Sequence, residues 1–110
     1  EKAIMAHPEA YREIKQILDH VVADVIDIGE YRKTAEQLAR LLELMSASSK
    51  SSIFHYHYNN IDPRRGGDVR YFRAICIDLR EQIHCIDEMR RSRRHLRLVE
   101  KDLSDPDSNP

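Results

Sequence analysis

The stretch IKQILDHVVADVIDIGEYRKTAEQLARLLELM, residues 14–45, repeats apolar side chains at an interval of seven residues. One series of the repeat consists of Ile14, Val21, Ile28, Ala35 and Leu42, and the other consists of Ile17, Tyr31, Leu38 and Met45. A seven-residue repeat kept over this length is typical of long helices that pack side by side. The repeat predicts an all-α fold and a helix over residues 8–46, with Pro8 at the first helical position.

Gly29 offers an alternative in which this helix breaks. Asp27 is followed three residues later by Glu30, and this spacing matches a capping box at the start of a helix. However, the seven-residue repeat crosses Gly29 without a change of phase, whereas a turn would normally reset it. The sequence therefore favours one continuous helix over residues 8–46.

A second helix is predicted over residues 68–103, with Asp68 as its N-cap. Its apolar series is again spaced by sevens and consists of Val69, Phe72, Cys76, Leu79, Ile83 and Ile86. A strict continuation would place Arg90 and Arg93 in the packed seam. A three-residue shift would instead continue the apolar series through Met89, Leu96, Val99 and Leu103. We therefore predict a local overwinding after Ile86 that turns the arginines outward.

Residues 47–67 are expected to form a long loop between the two helices. Within this loop, IFHYHY at residues 53–58 alternates in the manner of a short strand. On a strand His55 and His57 would face the same way, so they are a candidate zinc pair, although no close cysteine pair completes the site. The alternative is that the aromatic side chains cover the end of the bundle while the histidines face water.

The predicted architecture is an antiparallel hairpin of two long helices. The residues expected at the helix interface are Ile14, Val21, Val25, Ile28, Tyr31, Leu38, Leu42, Phe72, Leu79, Ile83 and Ile86. Further apolar positions broaden the stripe, namely Leu18, Val25, Leu41, Ile75 and Met89. A hairpin gives each helix one neighbour, so we expect a homodimer to complete a four-helix bundle or coiled coil.

The composition fits one small domain over residues 1–103, followed by a flexible acidic tail over residues 104–110. Of the 110 residues, 34% are charged and only three are glycine, as is typical of long-helix proteins. No apolar run approaches the ~20 residues that span a bilayer, and no signal peptide is recognisable. Cys76 and Cys85 lie too far apart on the predicted helix for a disulfide. We expect a cytoplasmic or nuclear chain that is part of a longer protein.

The stretch MRRSRRHLR, residues 89–97, concentrates arginines in a chain of net charge −1. A solvated face that pairs with the acidic first half of the chain is one interpretation. The other is an anionic partner, a nucleic acid or a phosphoinositide, bound by Arg90, Arg93, Arg94 and Arg97.

Arg90 and His95 are separated by four residues, a spacing similar to that of small all-helical ribonucleases of the HEPN type. The similarity covers two residues and implies RNA cleavage with His95 as the acid–base group. On a regular helix, however, Arg91 rather than Arg90 shares the face of His95.

No serine–histidine–aspartate arrangement or nucleotide-binding loop is recognisable, so the sequence favours a non-enzymatic role without a cofactor. The expected function is an oligomerisation or protein–protein interaction module of a larger intracellular protein, which binds itself and another protein. The alternatives are a domain that binds nucleic acid or another polyanion, and a HEPN-like ribonuclease.

Overall fold

The computed structural model of the chain describes residues 2–23, 27–47, 52–61 and 69–104. These residues form five helices: α1 (Lys2–Ala6), α2 (Pro8–Ala23), α3 (Ile28–Ser46), α4 (Ile53–Asn60) and α5 (Val69–Ser104). No strand occurs within the described ranges, and the predicted all-α class is confirmed.

The single helix predicted over residues 8–46 is wrong, because the chain folds into two helices there. Asp27 has an extended backbone, with φ −82° and ψ 174°, and its side chain accepts a hydrogen bond of 2.8 Å from the main-chain N–H of Glu30. This N-cap satisfies a donor that the first turn of α3 would otherwise leave unpaired. The repeat keeps its phase because α2 and α3 direct their apolar stripes into one shared core. Val25 lies outside the described residues.

Helices α2 and α5 pack side by side and run antiparallel. Their polar contacts pair early residues of α2 with late residues of α5: Tyr11 and Lys15 with Asp87, Asp19 with Arg80, and Val22 with Arg73. On another side, α2 packs against α3, and His20 Nε2 lies 2.8 Å from Glu30 Oε1 near the connection between them. Helix α2 is therefore central, between α3 and α5.

The core is formed mainly by residues of the seven-residue repeats in α2, α3 and α5, and α1 and α4 contribute to it as well. The fully buried ones are Ile14, Leu18 and Val21 of α2, Ala35, Leu38, Leu42 and Met45 of α3, and Cys76 and Leu79 of α5. The rings of Tyr31 in α3 and Phe72 in α5 also lie in this core and meet edge to face, with centroids 4.9 Å apart. Ile17, Leu41, Ile75 and Ile86 are partly buried against this core.

The strand predicted from IFHYHY is wrong, because these residues begin helix α4. Ser52 is its N-cap, and its hydroxyl accepts a 3.3 Å hydrogen bond from the main-chain N–H of His55. Phe54, His57 and Ile61 are all buried, and their spacing of three and four residues is that of one helix face. Helix α4 thereby packs against α3 and α5.

Helix α5 extends beyond the helices that pack against it. With 36 residues it is ~54 Å long at the usual rise of an α-helix, and the molecule measures 66 × 28 × 19 Å. Because α2 begins at Pro8 and its Tyr11 lies beside Asp87, α5 continues past the start of α2. Every residue from 91 to 98 is exposed.

Candidate anion-binding groove

The arginines of α5 lie on the line along which that helix packs into the core. Arg90, Arg94 and Arg97 follow the buried Ile83 by 7, 11 and 14 residues, which places all of them on one side of the helix at ~100° per residue. The predicted overwinding after Ile86 would turn the arginines outward, and Arg93, Arg94 and Arg97 are exposed along a continuous α-helix. Met89 and Leu96, which it would have buried, are 54% and 59% exposed.

The arginines face a groove between α1, the first turns of α2 and the distal part of α5. The groove has a volume of about 550 Å³. Six of its eight lining residues are basic and one is acidic: Met5, Lys15, Asp87, Arg90, Arg91, Arg93, Arg94 and Arg97. Six positive charges less one negative charge leave a net charge of +5, and we call this site the arginine groove.

Asp87, the one carboxylate among these lining residues, is already held by α2. Its Oδ2 lies 2.7 Å from Lys15 Nζ, and its Oδ1 accepts a 2.6 Å hydrogen bond from the hydroxyl of Tyr11. Burial alone would raise the pKa of Asp87, but the hydrogen bonds from Lys15 and Tyr11 and the positive charges of Lys15 and Arg90 outweigh it and lower that pKa. The carboxylate therefore stays ionised and does not neutralise the outer part of the groove.

The Tyr11 hydroxyl is fixed as a donor in this cluster. Burial and the hydrogen bond to Asp87 raise the pKa of Tyr11 above its ordinary value, so the phenol keeps its proton. Lys15 Nζ also lies 5.2 Å from the centre of the Tyr11 ring, a cation–π contact. These contacts join α2 to α5 at the inner end of the arginine groove.

Two arginines of the groove, Arg94 and Arg97, have no acidic partner among the described residues. The ion pairs between α2 and α5 are Lys15 with Asp87 and Arg80 with Asp19. Among the described residues, no carboxylate lies within ion-pair distance of Arg94 or Arg97. Arg91 Nη1 lies 4.0 Å from Glu88 Oε1, at the limit of such a contact. The side chains of Arg94 and Arg97 are therefore open to an external anion.

The pair suggested by the ribonuclease spacing is not brought together. Arg90 is half-buried at the arginine groove, whereas His95 is exposed and is not among the lining residues. Five residues along a regular helix correspond to a rotation of ~140°, which directs the two side chains to different sides. Arg91, one turn before His95, is also exposed.

The candidate zinc pair is separated as well. His55 and His57 are ~200° apart around α4, because the segment is helical rather than extended. The buried His57 has both ring nitrogens engaged, with Nδ1 2.7 Å from the main-chain oxygen of Ile53 and Nε2 2.8 Å from Asp78 Oδ2. Within the described part of the chain, no group of three or more potential metal ligands occurs.

Sequence reasoning found the arginines of the groove but missed Met5, Lys15 and Asp87. These residues come from three helices, and their neighbourhood depends on the antiparallel register of α2 and α5. Asp87 is a local signal, because it follows Ile83 of the apolar series by four residues and so lies on the same face of α5, where a carboxylate needs a partner from a facing helix.

None of the described helices is both long and apolar enough to cross a membrane. The sequence matches no protein-family model, and no curated protein or solved structure is significantly similar to it.

Proposed function

We propose that this domain binds polyanions, and that the arginine groove is the binding site. The observation that carries the proposal is the net charge of +5 on the residues that line one groove, where Arg94 and Arg97 have no carboxylate partner within the described part of the chain. The chain as a whole has a net charge of −1, so the charge of the groove is local rather than a property of the entire surface.

The clustered charge has a cost that an anion would remove. Five of the eight residues from 90 to 97 are arginine, and like charges one turn apart on a helix repel each other. Arginine binds phosphate through two parallel hydrogen bonds, which a lysine at the same place would not provide. Phosphate groups bound here would release condensed counterions, so the affinity is expected to fall steeply as salt rises.

A fluorescent inorganic polyphosphate is a suitable first probe, because it presents phosphates without bases or acyl chains. We expect anisotropy titrations to show salt-sensitive binding by the wild-type chain and a loss of at least about tenfold for the Arg94→Glu/Arg97→Glu variant. The matched control is Arg32→Glu/Arg40→Glu, which changes the net charge equally on exposed positions of α3. Equal losses in both variants, or no wild-type binding at physiological salt, would contradict the proposal.

Oligomerisation is the second candidate, and the exposed distal part of α5 favours it. Leu96 and Leu98 are each 59% exposed there. The broad apolar stripe that predicted a dimer is weaker support, because Leu18 is buried and Leu41 and Ile75 are partly buried within one chain. Sedimentation equilibrium distinguishes a monomer from a dimer, since a dimer would show twice the chain mass of 12.9 kDa. The variant Leu96→Asp/Leu98→Asp should then be a monomer.

A further inference from the structure

We infer that the polyanion is an anionic membrane surface, with the phosphates of a phosphoinositide headgroup in the arginine groove and the exposed apolar side chains beside it in the lipid interface. This inference rests on the proposed function, because it assigns the ligand class of the same groove. It adds one element that phosphate binding alone does not need, namely an apolar contact.

The size of the groove suits a compact ligand with several phosphates. Its volume of about 550 Å³ is comparable to that of small-molecule sites. From Arg90 to Arg97 the helix rises only ~10 Å, so the line of Arg90, Arg94 and Arg97 spans a short region rather than the length of an extended backbone. A single headgroup that carries several phosphates would engage most of these cations at once.

The lining of the groove does not favour a single-stranded nucleic acid. Proteins that bind single strands usually combine basic residues with aromatic side chains on which bases stack. Among the eight residues that line the arginine groove none is aromatic, and the nearby Tyr11 is buried against α5. The lining of the site therefore offers phosphate contacts but no aromatic platform on which bases could stack.

Exposed apolar side chains surround the groove at the same end of the molecule. Met5, on the α1 wall of the groove, is 77% exposed. Met89 and Leu96 lie seven residues apart and therefore form one stripe along α5, and both are more than half exposed. Apolar side chains at the rim of a phosphate site have no role toward a soluble phosphate, but they can enter the interface of a bilayer.

The apolar stripe and the arginine line are adjacent around α5. At ~100° per residue, Arg93 lies ~60° from Leu96 and ~40° from Arg97, so it separates the two rows. A helix with neighbouring apolar and basic rows is typical of segments that lie in the plane of a membrane interface. Arginine suits the border between the rows, because its apolar stem can cover apolar surface beside it.

The distribution of charge would orient the domain on such a surface. Attraction to anionic lipid acts over about one Debye length, ~8 Å at physiological ionic strength, so only the groove end would experience it strongly. Exposed α3 side chains are of mixed sign, as with Arg32, Lys33 and Glu36, and they offer no comparable patch. The distal part of α5 is therefore the side expected to face the lipid.

The test compares vesicles with a soluble headgroup. The protein is co-sedimented with phosphatidylcholine vesicles that contain a few mole per cent of phosphatidylinositol bisphosphate, and binding of soluble inositol trisphosphate is measured by calorimetry. We expect binding to the phosphoinositide vesicles and none to pure phosphatidylcholine. Arg94→Glu/Arg97→Glu should abolish both kinds of binding, whereas the control Arg32→Glu/Arg40→Glu should retain them.

The apolar contact is tested by Met89→Ser/Leu96→Ser, at two positions that do not line the groove. We expect this variant to bind vesicles at least about tenfold more weakly and to bind inositol trisphosphate with unchanged affinity, as lost apolar insertion requires. Unchanged vesicle binding would overturn the membrane inference. So would polyphosphate binding without vesicle binding, or stronger binding to single-stranded RNA than to vesicles, and either result would leave the proposed function intact. Failure of polyphosphate and vesicles alike would overturn both.

Discussion

The two halves of α5 share one helix and one spacing but differ in what they contact. In residues 69–87 the line that faces the bundle carries Phe72, Cys76, Leu79 and Ile83, all buried by other helices. In residues 88–104 the same line continues with arginines, and residues 91–98 are exposed. The comparison shows that the helical repeat fixes the direction of a side chain, whereas the presence of a neighbouring helix decides whether that direction is core or surface.

The largest expected difference between the halves concerns buried charge. Leu79→Asp should destabilise the domain by several kcal/mol, because it places an unpaired carboxylate at a position that is 0% exposed. Leu96→Asp, on the exposed half, should cost about 0.5 kcal/mol or less. Thermal unfolding followed by circular dichroism measures both. Similar melting temperatures for the two variants would show that residues 91–98 are packed as tightly as residues 72–83.

Much of this arrangement was predictable from periodicity, because that signal extends over many residues. The start of α2 at Pro8, the end of α3 at Ser46 and the extent of α5 agree with the sequence analysis to within about a residue. The burial of Leu38 and Leu79 was likewise visible in the repeat. A long amphipathic pattern predicts a helix even where single residues are ambiguous, because each further turn repeats the same apolar spacing.

At Asp27 two sequence signals disagree: the capping spacing predicts a break and the unshifted repeat predicts one helix, and the structure has the break. An unshifted repeat is compatible with a break when the two helices share one core, and α2 and α3 do so. A hydrogen bond from an N-cap stabilises a helix start by about 1 kcal/mol, a local preference that a long repeat conceals.

Two other features lay outside what sequence pattern can decide. In residues 53–61, the alternation of a strand in IFHYHY and the helical spacing of Phe54, His57 and Ile61 coexist, and a short apolar pattern does not discriminate between them. The arginine groove needs Lys15 and Met5, whose proximity to α5 is set by the register of α2 and by α1. Tertiary packing decides both.

A second difference concerns the polar contacts of the covered half. His57→Ala should destabilise the domain by about 2–3 kcal/mol, because it removes a buried ring and its hydrogen bonds to Asp78 and the Ile53 carbonyl. His55→Ala is the control, since His55 is only half-buried on another side of α4. Chemical denaturation gives both values, and a loss for His55→Ala as large as that for His57→Ala would mean that α4 is anchored differently.

Asp87 lies at the junction of the two halves, and its effect should depend on pH. Its pKa is lower in the folded than in the unfolded chain, so its contribution is complete above the unfolded value of about 3.9 and is lost as pH falls through the folded pKa. Asp87→Asn should cost about 1–2 kcal/mol at neutral pH and progressively less in acid. The control is Asp19→Asn, which alters an exposed pair with Arg80. Parallel pH profiles for wild type and Asp87→Asn would contradict this role.

The smallest expected effect is that of Arg94→Ala on the distal half. Arg94 is exposed and has no carboxylate within ion-pair distance among the described residues, so the substitution removes no attractive contact that the fold requires. It also removes repulsion from Arg90 and Arg97, while alanine has a slightly higher helix propensity than arginine. The melting temperature should therefore stay constant or rise by a degree or two, equivalent to less than about 0.5 kcal/mol.

The same substitution separates stability from binding. If the arginine groove holds phosphates, Arg94→Ala should weaken polyphosphate binding and reduce the slope of log affinity against log salt by about one phosphate contact, even though the fold is unaffected. A clear drop in melting temperature would instead mean that Arg94 has an attractive partner within the chain. Both halves of α5 would then contact other parts of the chain, residues 69–87 through apolar contacts and residues 88–104 through polar ones.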